Sequence, residues 1–130
     1  MAEALSLASS ALLAGEIPVG AVLVRSGVVI GRGTNRQLRD NDPAAHAEII
    51  ALRDAGSREK NYRLDGSDMY VTVKPCRMCR EAIKRARISR VYYASPMAKD
   101  ASHITCYTEL KEHASESTRM MKDFFSGKRR

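Results

Sequence analysis

The spacing of apolar positions along this chain changes several times. Ala2 to Ala14 carries apolar residues at helical spacing and is followed by Gly15, which predicts a first, amphipathic helix. Val19 to Val24 (VGAVLV) is almost wholly apolar and rich in β-branched residues, as expected of a strand covered on both faces. Ser26-Gly27 then turns the chain into Val28 to Gly31, so these two runs form a hairpin. Asp42-Pro43 opens a second helix, with an acid at the N-cap and proline at the first helical position; it runs to about Ala55 and stops at Gly56. Asp68 to Val73 alternates like a strand, Pro75 starts a third helix reaching about Arg87, and Arg90 to Ala94 is a further strand. A last helix carries Arg119 to Phe125. Between these, Ser102 to Tyr107 reads either as a fifth strand or as the start of a helix through Thr108 to Ala114. Strands alternating with helices imply an α/β fold with helices on both faces of a sheet.

At 130 residues the chain is expected to be one domain, residues 1–130, long enough to bury a core. No apolar run is long enough to span a bilayer. The N-terminal segment has no basic leader and carries Glu3 and Glu16, so it reads as a helix rather than a secretion signal. An odd cysteine count of 3 argues against a disulfide framework and for a reducing, cytoplasmic setting. Cys106 stands apart from the other two and reads as a small, partly buried hydrophobe. The formal net charge of +7 points toward a polyanionic partner, provided that the charge is concentrated somewhere.

His46-Ala47-Glu48, followed with 29 residues between His46 and Cys76 by Cys76-Arg77-Met78-Cys79 behind Pro75, carries the chemistry. One imidazole and two thiolates supply three metal ligands. Structural zinc sites take four protein ligands, whereas catalytic sites leave one position for water. Glu48 is the natural group to move protons beside that water. The H-x-E … P-C-x-x-C order is the signature of zinc-dependent base deaminases. A redox C-x-x-C would not require His-x-Glu upstream, and a buried histidine with two buried thiols would not require this spacing. Residues i and i+2 of a helix do not share a face, so His46 and Glu48 serve one site only near the start of their helix. Cys76 and Cys79, at i and i+3, share a face at the start of the next. Both helices then aim positive dipole ends at the metal, favouring the thiolates.

With these segments in view, the chain resembles the bacterial tRNA-specific adenosine deaminases. The resemblance runs through Gly15–Val24, Asp42–Arg53, Asn61–Leu64, Met69–Val73 and the metal motif, with Asp123-Phe124-Phe125 matching the last helix. It implies a cytidine deaminase-like three-layer α/β/α fold with a mixed sheet of about five strands. It also implies a homodimer whose active sites are completed across the interface, and hydrolytic conversion of wobble adenosine to inosine. His46, Cys76 and Cys79 would hold Zn²⁺, Glu48 would shuttle protons, and Asn35 and Ala47 would contact the nucleoside. Lys99 resembles an RNA-contacting lysine. The chain departs from the family in carrying Lys74 where glutamate is usual, in Met97–Ala101, and in a shorter segment before the last helix.

Charge placement bears on the substrate. Arg77, Arg80, Lys84 and Arg87 recur at spacings of 3, 4 and 3, a basic stripe beginning at the active-site end of the third helix. The opposite face, Cys79, Ala82, Ile83 and Ala86, is small and apolar. Lys128, Arg129 and Arg130 add a basic tail. Phosphate contact with the anticodon loop of a tRNA is the expectation. Phe124 and Phe125 read as core or interface anchors. Two alternatives stand beside this: a deaminase of free bases or nucleosides (guanine or cytosine), toward which Ile104–Leu110 resembles the guanine deaminases, and a non-catalytic RNA-binding subunit, against which Glu48 argues.

Overall fold

The apolar run at the start of the hairpin forms the second strand of a sheet, paired on both edges. In the computed structural model, which describes residues 1–96 and 106–128, the elements are α1 (Ala2–Leu13), β1 (Gly20–Arg25), β2 (Val28–Thr34), α2 (Gln37–Asp40), α3 (Ala47–Glu59), β3 (Asp68–Val73), α4 (Arg77–Arg85), β4 (Arg90–Ser95), β5 (Cys106–Glu109) and α5 (Lys111–Lys128). Among the described residues the sheet has the order β2-β1-β3-β4-β5. The hairpin β1–β2 and the pair β1–β3 are antiparallel, and β3–β4 and β4–β5 are parallel. Leu23, Met69, Val71 and Val91 from the central strands form one core with Ala51 and Ala55 of α3 and Ile83 of α4.

Three glycines let helices lie flush on the sheet. A methyl group on Gly20 would stand 2.1 Å from the Ala4 carbonyl oxygen of α1, and one on Gly31 would stand 2.7 Å from that of Ala51 in α3. Gly33 is equally closed, against Ala47 and Ala51. Ala21 pairs with Gly33, so Gly20 points to the other side of the sheet. α1 and α5 therefore cover one face, in contact with each other, while α3 and α4 cover the other. This is the expected three-layer α/β/α arrangement.

The structure corrects several boundaries. The second helix does not begin at Asp42-Pro43 but at Ala47. The Asp42 carboxylate instead accepts the Ala44 N–H at 2.9 Å, and its carbonyl accepts the Ala45 N–H, closing a turn before the helix. The helix continues through Gly56 for another turn, held by the Arg58–Asp54 ion pair and ended by Lys60 in the left-handed region. The chain also forms α2, a single turn without a sequence signal. The ambiguous segment resolves as β5 followed at once by α5; of Ser102–Tyr107, residues 102–105 lie outside the described residues. α4 ends at Arg85, and Arg87 takes φ 66°. The Ile88 N–H donates to the Ile83 carbonyl and the Arg87 N–H to that of Lys84, a Schellman closure with arginine where glycine is usual.

Candidate active site

His46 and Cys76 occupy equivalent positions on two different helices. Each is an N-cap with extended backbone, φ −73° and ψ 153° for His46, φ −74° and ψ 173° for Cys76. Their helices therefore start side by side, with the positive ends of both helix dipoles facing the same point. His46 precedes the first turn rather than lying in it, and Glu48 is in that turn, which lets the two serve one site despite their spacing.

The three sulfur and nitrogen atoms converge. His46 Nδ1 is 3.6 Å from Cys76 Sγ and 3.4 Å from Cys79 Sγ, and all three donor atoms lie within 4.8 Å of one another. A tetrahedral zinc with Zn–N of ~2.0–2.1 Å and Zn–S of ~2.3 Å holds such atoms about 3.6 Å apart. The observed separations fit that ion without rearrangement, and an imidazole with two sulfurs is a donor set zinc prefers.

Electrostatics at the site follow from burial and from the pairing of the donors. Cys79 is fully buried and its thiol donates to Cys76, which pushes its own pKa up. The same bond, with one from His46, pulls Cys76 down to about 3. The hydrogen bond with Cys76 raises His46. Glu48 is 4% exposed, and burial pushes its carboxyl up to about 7, against a hydrogen bond from its own backbone N–H. A carboxyl placed there both accepts and releases a proton near neutrality.

Glu48, His46 and Cys76 line a cavity of about 320 Å³ whose other walls include Asn35, Gln37, Val73, Lys74 and, from α5, Met121 and Phe125. Asn35 is buried, as is Ala47, packed against Gly33. Sequence reasoning missed Gln37, Met121 and Phe125. Only Phe125 had a signal, since Phe124 turns into the core and leaves its neighbour 43% exposed at the cavity. Lys74 sits in the wall with its ammonium 5.7 Å from the Tyr93 ring centre.

The basic stripe is not continuous. Arg80 is 8% exposed, with its guanidinium 5.9 Å from the ring centre of Tyr107 in β5. Arg77, Lys84 and Arg87 are exposed, Arg87 beyond the helix end. Lys99, Arg129 and Arg130 lie outside the described residues; Lys128 ends α5.

A sheet with this strand order, flanked by helices whose starts carry a His and a Cys-x-x-Cys with a buried glutamate, defines a zinc-binding deaminase scaffold. Residues 1–95 match the family described as the cytidine and deoxycytidylate deaminase zinc-binding region, and the chain belongs to that family. It is 45% identical over 103 residues to the tRNA-specific adenosine deaminase of Buchnera aphidicola subsp. Baizongia pistaciae, covering 79% of this chain. The chain spans 64% of that relative's length, less than two thirds. Its fold is similar, at TM-score 0.80 and 39% identity, to a structure from a study of A-to-I editing by tRNA:A34 deaminases, covering 90% of this chain and 94% of that one. It is also similar, at TM-score 0.68 and 41% identity, to the guanine deaminase of Bacillus subtilis, covering 71% of this chain and 59% of that one.

Proposed function

We propose that this chain is a zinc-dependent hydrolase that deaminates adenosine to inosine at the wobble position of tRNA. The observation that carries the reaction class is the placing of Glu48, a buried carboxyl, beside a three-donor cluster at a cavity wall. His46, Cys76 and Cys79 would hold the zinc, which when bound supplies a Lewis-acidic centre able to make water a nucleophile near neutral pH. Glu48 takes one proton of the attacking water and passes it to the ring nitrogen beside the amine-bearing carbon. It then takes the remaining proton of the added oxygen and passes it to the amine, which leaves as ammonia while the carbon keeps the oxygen as a carbonyl. The apolar walls Val73, Met121 and Phe125 exclude water from the base. The base must leave its stack to enter, which favours an unpaired anticodon loop.

The choice of tRNA rests on the similarity to tRNA-specific adenosine deaminases and on the cations Arg77, Lys84 and Arg87, exposed along α4 and just beyond its end. Asn35 and Ala47 are the proposed nucleoside contacts, and Lys99, Lys128, Arg129 and Arg130 further RNA contacts. Residues 1–130 act as a single deaminase domain, in a reducing, cytoplasmic setting that keeps both thiols available; among the described residues no helix is long and apolar enough to cross a membrane. A homodimer is proposed through the groove between α3 and α4, about 820 Å³, where Ile49, Leu52 and Ala82 meet Tyr62, itself 82% exposed. The likeness to a guanine deaminase supports a second reading, a free-base deaminase. An anticodon stem-loop with adenosine at the wobble position separates the two: the zinc-loaded protein converts it to inosine, and absence of inosine with turnover of guanine overturns the lead reading.

A further inference from the structure

Gln37 belongs to no motif, yet it stands in the cavity wall with His46 and Glu48. Its backbone N–H donates to Asn35 Oδ1 at 3.0 Å, and its side-chain Oε1 accepts from Asn35 Nδ2 at 2.9 Å. A backbone N–H requires an acceptor, so the atom facing it is the Asn35 oxygen, and the amide orientation follows from the bonding. Gln37 Nε2 in turn donates to the Pro43 carbonyl at 3.4 Å, in the turn that leads to His46. One side chain thus ties the proposed nucleoside contact to the loop that delivers a metal ligand.

The turn on which Gln37 stands is itself anchored from a distance. Glu16, 6% exposed, accepts the Leu38 N–H at 3.3 Å and the Arg39 N–H at 3.0 Å, besides the N–H of Ile17. A buried carboxylate without such donors is costly, and a four-residue helix without such an acceptor has little to hold it. The two conditions satisfy each other across 22 and 23 positions of sequence.

We propose that Gln37 is a positioning residue: its paired hydrogen bonds with Asn35 fix the direction of that amide, on a turn that Glu16 holds in place. Each bond uses one of the two lone pairs on Asn35 Oδ1 and one of the two N–H groups on Nδ2, leaving one acceptor site and one donor on the amide to meet a nucleoside. Without Gln37 Oε1 the amide keeps only the bond from the Gln37 backbone N–H, about which it can rock, so the donor it offers the substrate is no longer held in one direction. The inference rests on reading Asn35 as a substrate contact.

The test compares Gln37→Leu, which keeps the size but no side-chain hydrogen bond, with Gln37→Glu, which keeps the acceptor for Asn35 Nδ2. Steady-state kinetics on the wobble-adenosine stem-loop are expected to show KM raised about tenfold in Gln37→Leu with a smaller change in kcat, unchanged zinc content, and most of the loss restored in Gln37→Glu. In ¹⁵N spectra the Asn35 side-chain NH₂ pair is expected to shift and broaden in Gln37→Leu and to stay near its wild-type position in Gln37→Glu. An unmoved Asn35 NH₂ pair in Gln37→Leu overturns the proposal, as does equal damage by both variants. Asn35→Ala at wild-type KM instead overturns the reading of Asn35. A wild type that makes no inosine overturns the tRNA reading, and the spectra still decide whether Gln37 orients the amide.

Discussion

Gly33 of β2 lies directly beneath Ala47 of α3, so close that a methyl group on the glycine would stand 2.3 Å from the Ala47 carbonyl oxygen. Ala47 is the residue between the candidate ligand His46 and the candidate proton carrier Glu48. The absence of one side chain in the sheet therefore sets the height of the active-site helix. Gly33→Ala is expected to lift the start of α3, costing on the order of 1–3 kcal/mol or more from overpacking against backbone. Thermal melting and zinc content measured together check this. A wild-type Tm and full zinc in the variant would show that the helix start is not set there.

Zinc content is the next expectation. The purified protein should carry about one zinc per chain, and Cys79→Ala should carry little, since three protein ligands leave none to spare. Chelation should lower Tm, because an ion that binds only the folded state stabilises it. Elemental analysis showing metal-free wild type, or undiminished metal in Cys79→Ala, would contradict the ligand assignment.

Glu48→Gln is expected to keep fold and zinc while lowering turnover by ~10²–10⁴-fold, the usual contribution of a positioned general acid–base. Near-wild-type turnover at unchanged zinc would mean that another group moves the protons.

The runs that bury two faces were legible in the sequence because their hydrophobicity is local: β1, β3 and β4 fall within a residue of where the pattern puts them. So was the metal motif, whose spacing depends only on two helix starts. What escaped depends on distant partners. α2 is a single turn that rests on Glu16 from the loop after α1, a bond no local pattern encodes. β5 is four residues that become a strand by pairing with β4. Asp42 has the chemistry of a helix cap, but its carboxylate is taken by the turn before His46. Arg80 falls on the polar side of α4 by periodicity, and the arrival of Tyr107 buries it.

That burial separates two kinds of arginine on one helix. Arg80→Gln is expected to lower stability by about 0.5–2 kcal/mol, the range for a partly desolvated cation–π contact. Lys84→Gln with Arg87→Gln should leave Tm nearly unchanged, weaken tRNA binding and reduce the slope of log affinity against log salt by roughly one unit or less per lost phosphate contact. Binding isotherms at several salt concentrations check both. An unchanged slope in the double variant would remove these residues from the RNA surface.

Mass spectrometry of nucleosides separates deamination of adenosine in tRNA by the zinc-loaded chain from deamination of a small base or nucleoside. Bulk tRNA, guanine, cytosine and cytidine are incubated in parallel with wild type and with Glu48→Gln. Inosine is expected in tRNA with wild type alone, and no ammonia from the three small molecules. Ammonia from guanine or cytosine, with no inosine in tRNA, would contradict the tRNA reading.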